Sequence, residues 1–290
     1  MRIVFHLGVH CTDEDRLVRC LLKNRSTLSD QGIAVPSPTR YRNLLRDAAK
    51  QLRGARASAE SAAIILDQIT DDPQAERVIL SWTSFLSFPA YAVGDGLYGQ
   101  AGDRLHGFTQ VFSEMDAEFH MAIRNPASFL PDLRERVMSK GFDDILRDID
   151  ATQLRWSDTI RAIKDANPGV PMTVWCDEDT PLIWPEVLQA ISGHAPDTAL
   201  EDDEELLADL LTEEGLVRYR AYCREHPPQA VSQRRRIVTA FLEKFGRPEK
   251  MSTPATAPGW SEALVDRLTQ NYWRDLDRIA RTPGVRIIEP

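Results

Sequence analysis

No apolar run in this chain approaches the ~18 residues of a membrane-crossing helix, so a helical membrane protein is not expected. Residues 1–8 are too short for a secretory-signal core, and no cleavage pattern follows. Cysteine is scarce: Cys11, Cys20, Cys176 and Cys223 form no C-x-x-C pair and no disulfide framework. These absences point to a reduced, cytoplasmic protein. A basic excess is missing too. The chain carries 35 Lys+Arg against 44 Asp+Glu, a formal net charge of -9, which argues against a nucleic-acid partner. The histidines (His6, His10, His106, His120, His194 and His226) show no H-x3-H or H-E-x-x-H spacing, so zinc is not expected.

What is present suits a globular chain: 42% apolar and 27% charged residues over 290 positions, enough for one α/β domain. The negative charge is local. Nine carboxylates and no base lie between Asp197 and Glu214, and the remaining 35 acids balance 35 bases. Leu206, Leu207, Leu210 and Leu211 form an apolar stripe beneath them, which reads as a solvated helix face. The sharper reading is a docking surface for a basic partner.

Buried strands are expected at 2–8, 77–82, 118–124, 170–176 and 285–288, alternating with helical stretches. Helices are expected to follow residue 12, then over 42–69 with a possible break at Gly54, and near 104–115, 126–149, 151–166, 181–192 and 260–281. Residues 196–245 read as wholly helical, 83–103 as a Gly/aromatic loop and 246–259 as a Pro/Thr/Gly loop. This alternation implies a mostly parallel sheet with helices on both faces and a helical C-terminal part, about 196–282. Ligands of such sheets bind beyond the carboxyl ends of the strands, which singles out 8–15, 81–87, 124–132 and 176–180.

The opening segment FHLGVHCTDEDRLVRCLLKNRSTLSDQGIAVP resembles the start of bacterial sulfotransferase-like proteins. Their pattern is a strand, H-x-G-x-H-K-T-G-T-T, and a helix with L-x-x-N-R-x-x-L-x-x-x-G-I before a proline. His10, Thr12, Asn24, Arg25, Leu28, Gly32, Ile33 and Pro36 match it. Arg77–Phe85, Met121–Leu130 and the closing segment from Trp260 resemble later parts of the family, so the likeness runs weakly along most of the chain. It implies one P-loop-like α/β domain over 1–290. It also implies a donor site for PAPS or PAP: Gly8, Val9, His10, Cys11 and Thr12 around the phosphosulfate, Arg124 and the residue eight further on at the 3′-phosphate. In that frame His10 is a candidate base or electrophile, and Cys11 takes the position of the family's catalytic Lys.

The chain departs from the pattern at these positions. Cys11 replaces the Lys, Asp13-Glu14-Asp15 replaces Gly-Thr-Thr, and Asp132 replaces the 3′-phosphate Ser. A carboxylate ~4 Å from a phosphate is opposed by about 4 kcal/mol at an effective dielectric of about 20. A helix N-terminus offers an anion only about 0.3–2 kcal/mol. The expectation is therefore a sulfotransferase-family protein with impaired or lost sulfuryl transfer, acting as a binding or interaction protein for an unknown small molecule or protein. An active sulfotransferase with altered donor geometry is the alternative.

The same acids have a structural reading. Thr12 as N-cap with Asp13, Glu14 and Asp15 behind it would start a helix well. A third functional reading joins Asp13 and Asp15 with Asp177 and Asp179 in an acidic rim for a divalent cation or amine, although Asp179 or Thr180 before Pro181 also suits a helix start. His10-Cys11 with Arg16 falls one residue short of the H-C-x5-R phosphatase loop. Arg234-Arg235-Arg236 reads as a solvated or ion-paired face, or as a grip on the 3′-phosphate. Trp82, Phe85, Phe88, Tyr91 and Tyr98 read as core, or as an acceptor pocket.

Overall fold

Five apolar runs become strands of one sheet; the central ones are covered on both sides, while the last, at the edge, is half-buried. The computed structural model describes every residue except 252–256 and 258. Its strands are β1 (Arg2–His6), β2 (Ile33–Ala34), β3 (Arg77–Ser81), β4 (Val93–Gly94), β5 (Gly96–Leu97), β6 (Asp116–Ile123), β7 (Met172–Cys176) and β8 (Val285–Ile288). Six of them form an all-parallel sheet in the order β2-β3-β1-β6-β7-β8, and β4 and β5 form a separate antiparallel pair.

Alternation along the strands sends side chains to two cores. Phe5, Leu80, Phe119, Met121 and Val174 pack against helices Pro38–Leu52, Ala101–Thr109, Pro126–Met138, Trp156–Ala166 and Glu262–Ala280. Val4, Ile79, Ala122 and Trp175 pack against helices Arg16–Lys23 and Thr180–Ser192. A third, smaller core (Leu211, Tyr219, Val238 and Leu242 among its members) holds together the C-terminal helices Glu205–Leu210, Glu213–Glu225 and Val231–Phe245. The α/β class, the parallel sheet and the helical C-terminal part are as the sequence implies.

Boundaries differ from the expectation in several places. The 42–69 stretch is two helices, Pro38–Leu52 and Ala59–Ile69, separated around Gly54. The helix expected over 126–149 ends at Met138. Residues 196–245 are three helices joined by turns rather than one continuous run. Within 246–259 the described residues include a short helix, Pro248–Met251, while 252–256 and 258 lie outside the described residues.

The topology fixes where a site can lie. The chain leaves β1 towards β2 and β3, returns across β1 to β6, and then proceeds to β7 and β8 on the other side. Connections from the adjacent strands β1 and β6 therefore diverge, opening a crevice above their carboxyl ends. The turn after β1 and the segment after β6 face each other there. Beneath it, on the face covered by helix Thr180–Ser192, lies a polar row in register: Ser81, His6, His120 and Thr173 on four neighbouring strands.

Candidate functional site

The turn after β1 is strained. Gly8 has φ +53, and a Cβ there would lie 2.9 Å from Thr83 Cα, so glycine is required. Cys11 (φ 58), Glu14 (φ 50) and Asp15 (φ 62) are also left-handed, though none is glycine. Each such residue costs about 1–2 kcal/mol and needs its surroundings to hold it.

Those surroundings are ion pairs and hydrogen bonds from three other elements. Arg42 pairs with Asp15 at 2.9 Å, and Arg136 pairs with Glu14. Arg124 donates to the Cys11 carbonyl at 2.7 Å and pairs with Asp132 at 2.7 Å. Arg124 is held in turn by its own carbonyl, which accepts from Trp156 Nε1 at 2.8 Å. Thr12 Oγ1 donates to the Val9 carbonyl at 2.6 Å.

This overturns the expected helix start. Thr12 is not the N-cap: the helix begins at Arg16, and its first turn contains no acid. Asp15 is the N-cap through its backbone, its carbonyl accepting from Arg19 N–H at 3.0 Å, and Asp13 supplies the side-chain cap, accepting from Leu17 N–H at 3.0 Å, while its carbonyl accepts from Arg16 N–H at 2.9 Å. The side chains of Asp15 and Glu14 pair with Arg42 and Arg136 instead of capping the helix.

Helix Pro126–Met138 supplies the opposite wall. Asn125 caps it, accepting from Ala127 N–H at 3.0 Å. Asp132 and Arg136 then lie four residues apart on one face. Between wall and turn is a cleft of about 510 Å³, lined by Cys11, Glu14, Arg124, Asp132, Glu135 and Arg136 among others. Its two cations face three carboxylates. The turn directs the carbonyls of Val9 and Cys11 to donors, whereas a bound phosphate or sulfate needs N–H groups.

The titratable groups agree. Burial pushes the Cys11 thiol up to about 11; contact with Arg136 opposes this, while Glu14 and Asp132 add to the rise. Such a shift works against the thiolate that a phosphatase nucleophile requires, and Arg16 pairs with Asp209 at 3.2 Å. Burial lowers His10 to about 3, with Arg136 and Lys140 acting in the same direction. His10 donates its backbone N–H to Tyr98 Oη at 3.2 Å, and His10 Nδ1 and Tyr98 Oη share a hydrogen bond at 2.8 Å. The neutral ring is stacked on Tyr98 in the interior.

Asp177 and Asp179 follow β7. Burial pushes Asp177 up to about 7, opposed by Arg124 and assisted by Glu178 and Asp13. Burial also raises Asp179. Among the described residues, no three His, Cys, Asp or Glu side chains group as a metal would require. Asp15 is neutralised by Arg42 instead.

Other expected features find their partners inside the chain. The acidic segment pairs with nearby bases: Glu205 with Arg19, Asp209 with Arg16 and Lys250, Glu204 with Arg220, Asp202 with Lys23. Arg234 and Arg235 both clamp Glu186, at 2.8 and 3.2 Å, which makes them an ion-paired face. Trp82 and Phe85 are core, whereas Phe88 and Tyr91 are exposed. Among the described residues no helix is long and apolar enough to cross a membrane.

Sequence reasoning missed Arg136 and Arg42, and it read Tyr98 as core without its bonds to His10. Arg136 carried one signal, its four-residue spacing from Asp132; Arg42 carried none, because its contact joins separate elements. No family model matches the chain, and no curated protein or solved structure was found to be similar to it.

Proposed function

We propose that this chain is a sulfotransferase-like protein whose donor cleft is filled by its own carboxylates, and that it works by binding rather than by sulfuryl transfer. The observation that carries this reading is Arg124, fixed between the Asp132 carboxylate and the Cys11 carbonyl at 2.7 Å each. An incoming phosphate would have to displace a resident carboxylate from the cation it needs. It would also meet Glu14 and Glu135, each opposing it by up to about 4 kcal/mol at ~4 Å and an effective dielectric of about 20.

Thermal shift with millimolar PAP tests the reading. The native chain is expected to show no shift, and Asp132→Ser combined with Glu14→Gln is expected to gain one. A shift in the native chain that disappears in Arg124→Ala would overturn it. That outcome favours the alternative, an active sulfotransferase. One observation speaks for that alternative: Arg136 lies against Cys11, which places a cation beside the position of the family's Lys.

A further inference from the structure

Helices Glu213–Glu225 and Val231–Phe245 are joined by a five-residue turn, 226–230, and fold back on each other. Tyr219 and Tyr222 meet Phe241, at 5.4 and 6.0 Å between ring centroids. One side of the pair supplies Tyr219, Val238 and Leu242 to the third core. Its other side is an open groove of about 610 Å³.

The groove has two chemistries. Its floor is apolar: Tyr222, Ile237, Phe241 and Phe245. Its charged lining residues, Arg218, Arg236 and Lys244, are all cations. Arg218 and Lys244 stand 5.5 and 5.4 Å from the Phe245 ring centroid. Among the described residues Arg218 pairs only with Glu214 one turn away, an exposed pair worth no more than about 1 kcal/mol. Among the described residues Arg236 and Lys244 make no ion pair. These cations stand out on a chain of net charge -9.

We propose that this groove receives an acidic amphipathic helix of a partner protein. Apolar side chains spaced i, i+3 and i+4 enter the aromatic floor, and flanking Asp or Glu meet the three cations. Other occupants fit less well. A membrane surface is flat and, when anionic, is repelled by the chain's net charge. A second copy would offer the 197–214 segment, whose Asp202, Glu204, Glu205 and Asp209 are already paired within the chain. The groove lies on the C-terminal helices, so the proposal stands independently of the Arg124 cleft.

Fluorescence anisotropy with a labelled helical peptide of Leu, Phe and Glu tests it. Saturable binding is expected, weakened by salt and at least about tenfold weaker in both Arg236→Glu and Lys244→Glu. Both positions are exposed, and unchanged melting of the variants would show that the fold survives. The proposal is overturned by no saturable binding or by equal binding of the peptide with Lys in place of Glu. It is equally overturned by stronger binding to phosphatidylserine vesicles than to the peptide, or by a dimer in sedimentation that the two charge reversals dissociate.

Discussion

Cys11 shows how a single side chain reports on the cleft. Its thiol is raised from an ordinary 9.0 to about 11, chiefly by burial. Two units make the thiolate, the reactive species, about 100-fold scarcer than in an ordinary thiol at the same pH. Iodoacetamide at pH 8 is therefore expected to alkylate Cys11 at roughly one hundredth of the rate of glutathione. Intact-mass kinetics measure this, with Cys11→Ser identifying the site. A rate equal to that of glutathione would mean that Arg136 outweighs burial and that the cleft is electropositive after all. At this scale the sequence was partly legible. The sequence singled out Cys11, Arg124 and Asp132 as candidate site residues, and the fold brings them to one cleft, but the pairing of Asp132 with Arg124 depends on how a helix face meets a turn. Local spacing carries no record of that.

At the scale of elements, the turn after β1 depends on Gly8. Gly8→Ala combines the cost of a left-handed alanine with a Cβ pressed to 2.9 Å from Thr83. Gly54 is a natural control: its φ is +84, and a Cβ there meets nothing within 4 Å. Gly54→Ala is expected to cost about 1–2 kcal/mol from backbone conformation alone. Gly8→Ala is expected to cost a further ~1–3 kcal/mol from crowding. Urea denaturation of both variants checks the difference, and equal midpoints would remove the close approach from the account. The central strands were legible because their apolar runs are continuous, as a sheet covered on both faces demands. β2 was not, because a two-residue edge strand leaves no periodicity. The helix start at Arg16 was misplaced because capping rules see only neighbours, whereas Glu14 and Asp15 answer to Arg136 and Arg42. The break between helices Glu213–Glu225 and Val231–Phe245 had a signal that periodicity overrode: Pro227-Pro228 cannot continue a helix.

For the molecule as a whole, stability should depend on how many histidines the fold keeps neutral. Burial lowers His6, His10, His120 and His194 below their ordinary 6.5, His10 to about 3. His6 is bonded to Ser81 at 2.8 Å and His120 to Glu118 at 2.8 Å, inside the polar row that crosses the sheet. As pH falls below 6.5 the unfolded chain protonates these rings while the folded chain resists, so stability falls with pH. Asp177 acts in the opposite sense. Its carboxyl is raised from 3.8 to about 7, so between those values the folded chain holds a proton that the unfolded chain releases, and stability rises as pH falls. Burial also raises Asp179 and Asp203, which act in the same sense as Asp177; the four lowered rings act against these carboxyls, and the expected net effect is a loss of stability as pH falls below 6.5. Denaturant midpoints between pH 8 and 5 should therefore fall below 6.5. Asp177→Asn removes one opposing proton, so the slope below pH 6.5 should steepen by up to about 1.4 kcal/mol per unit, and stability above pH 7 should rise because the cost of a buried carboxylate is gone. A flat profile in the native chain would show that the rings are charged in the fold, and the polar row beneath the cleft would then have to be read as a set of ion pairs.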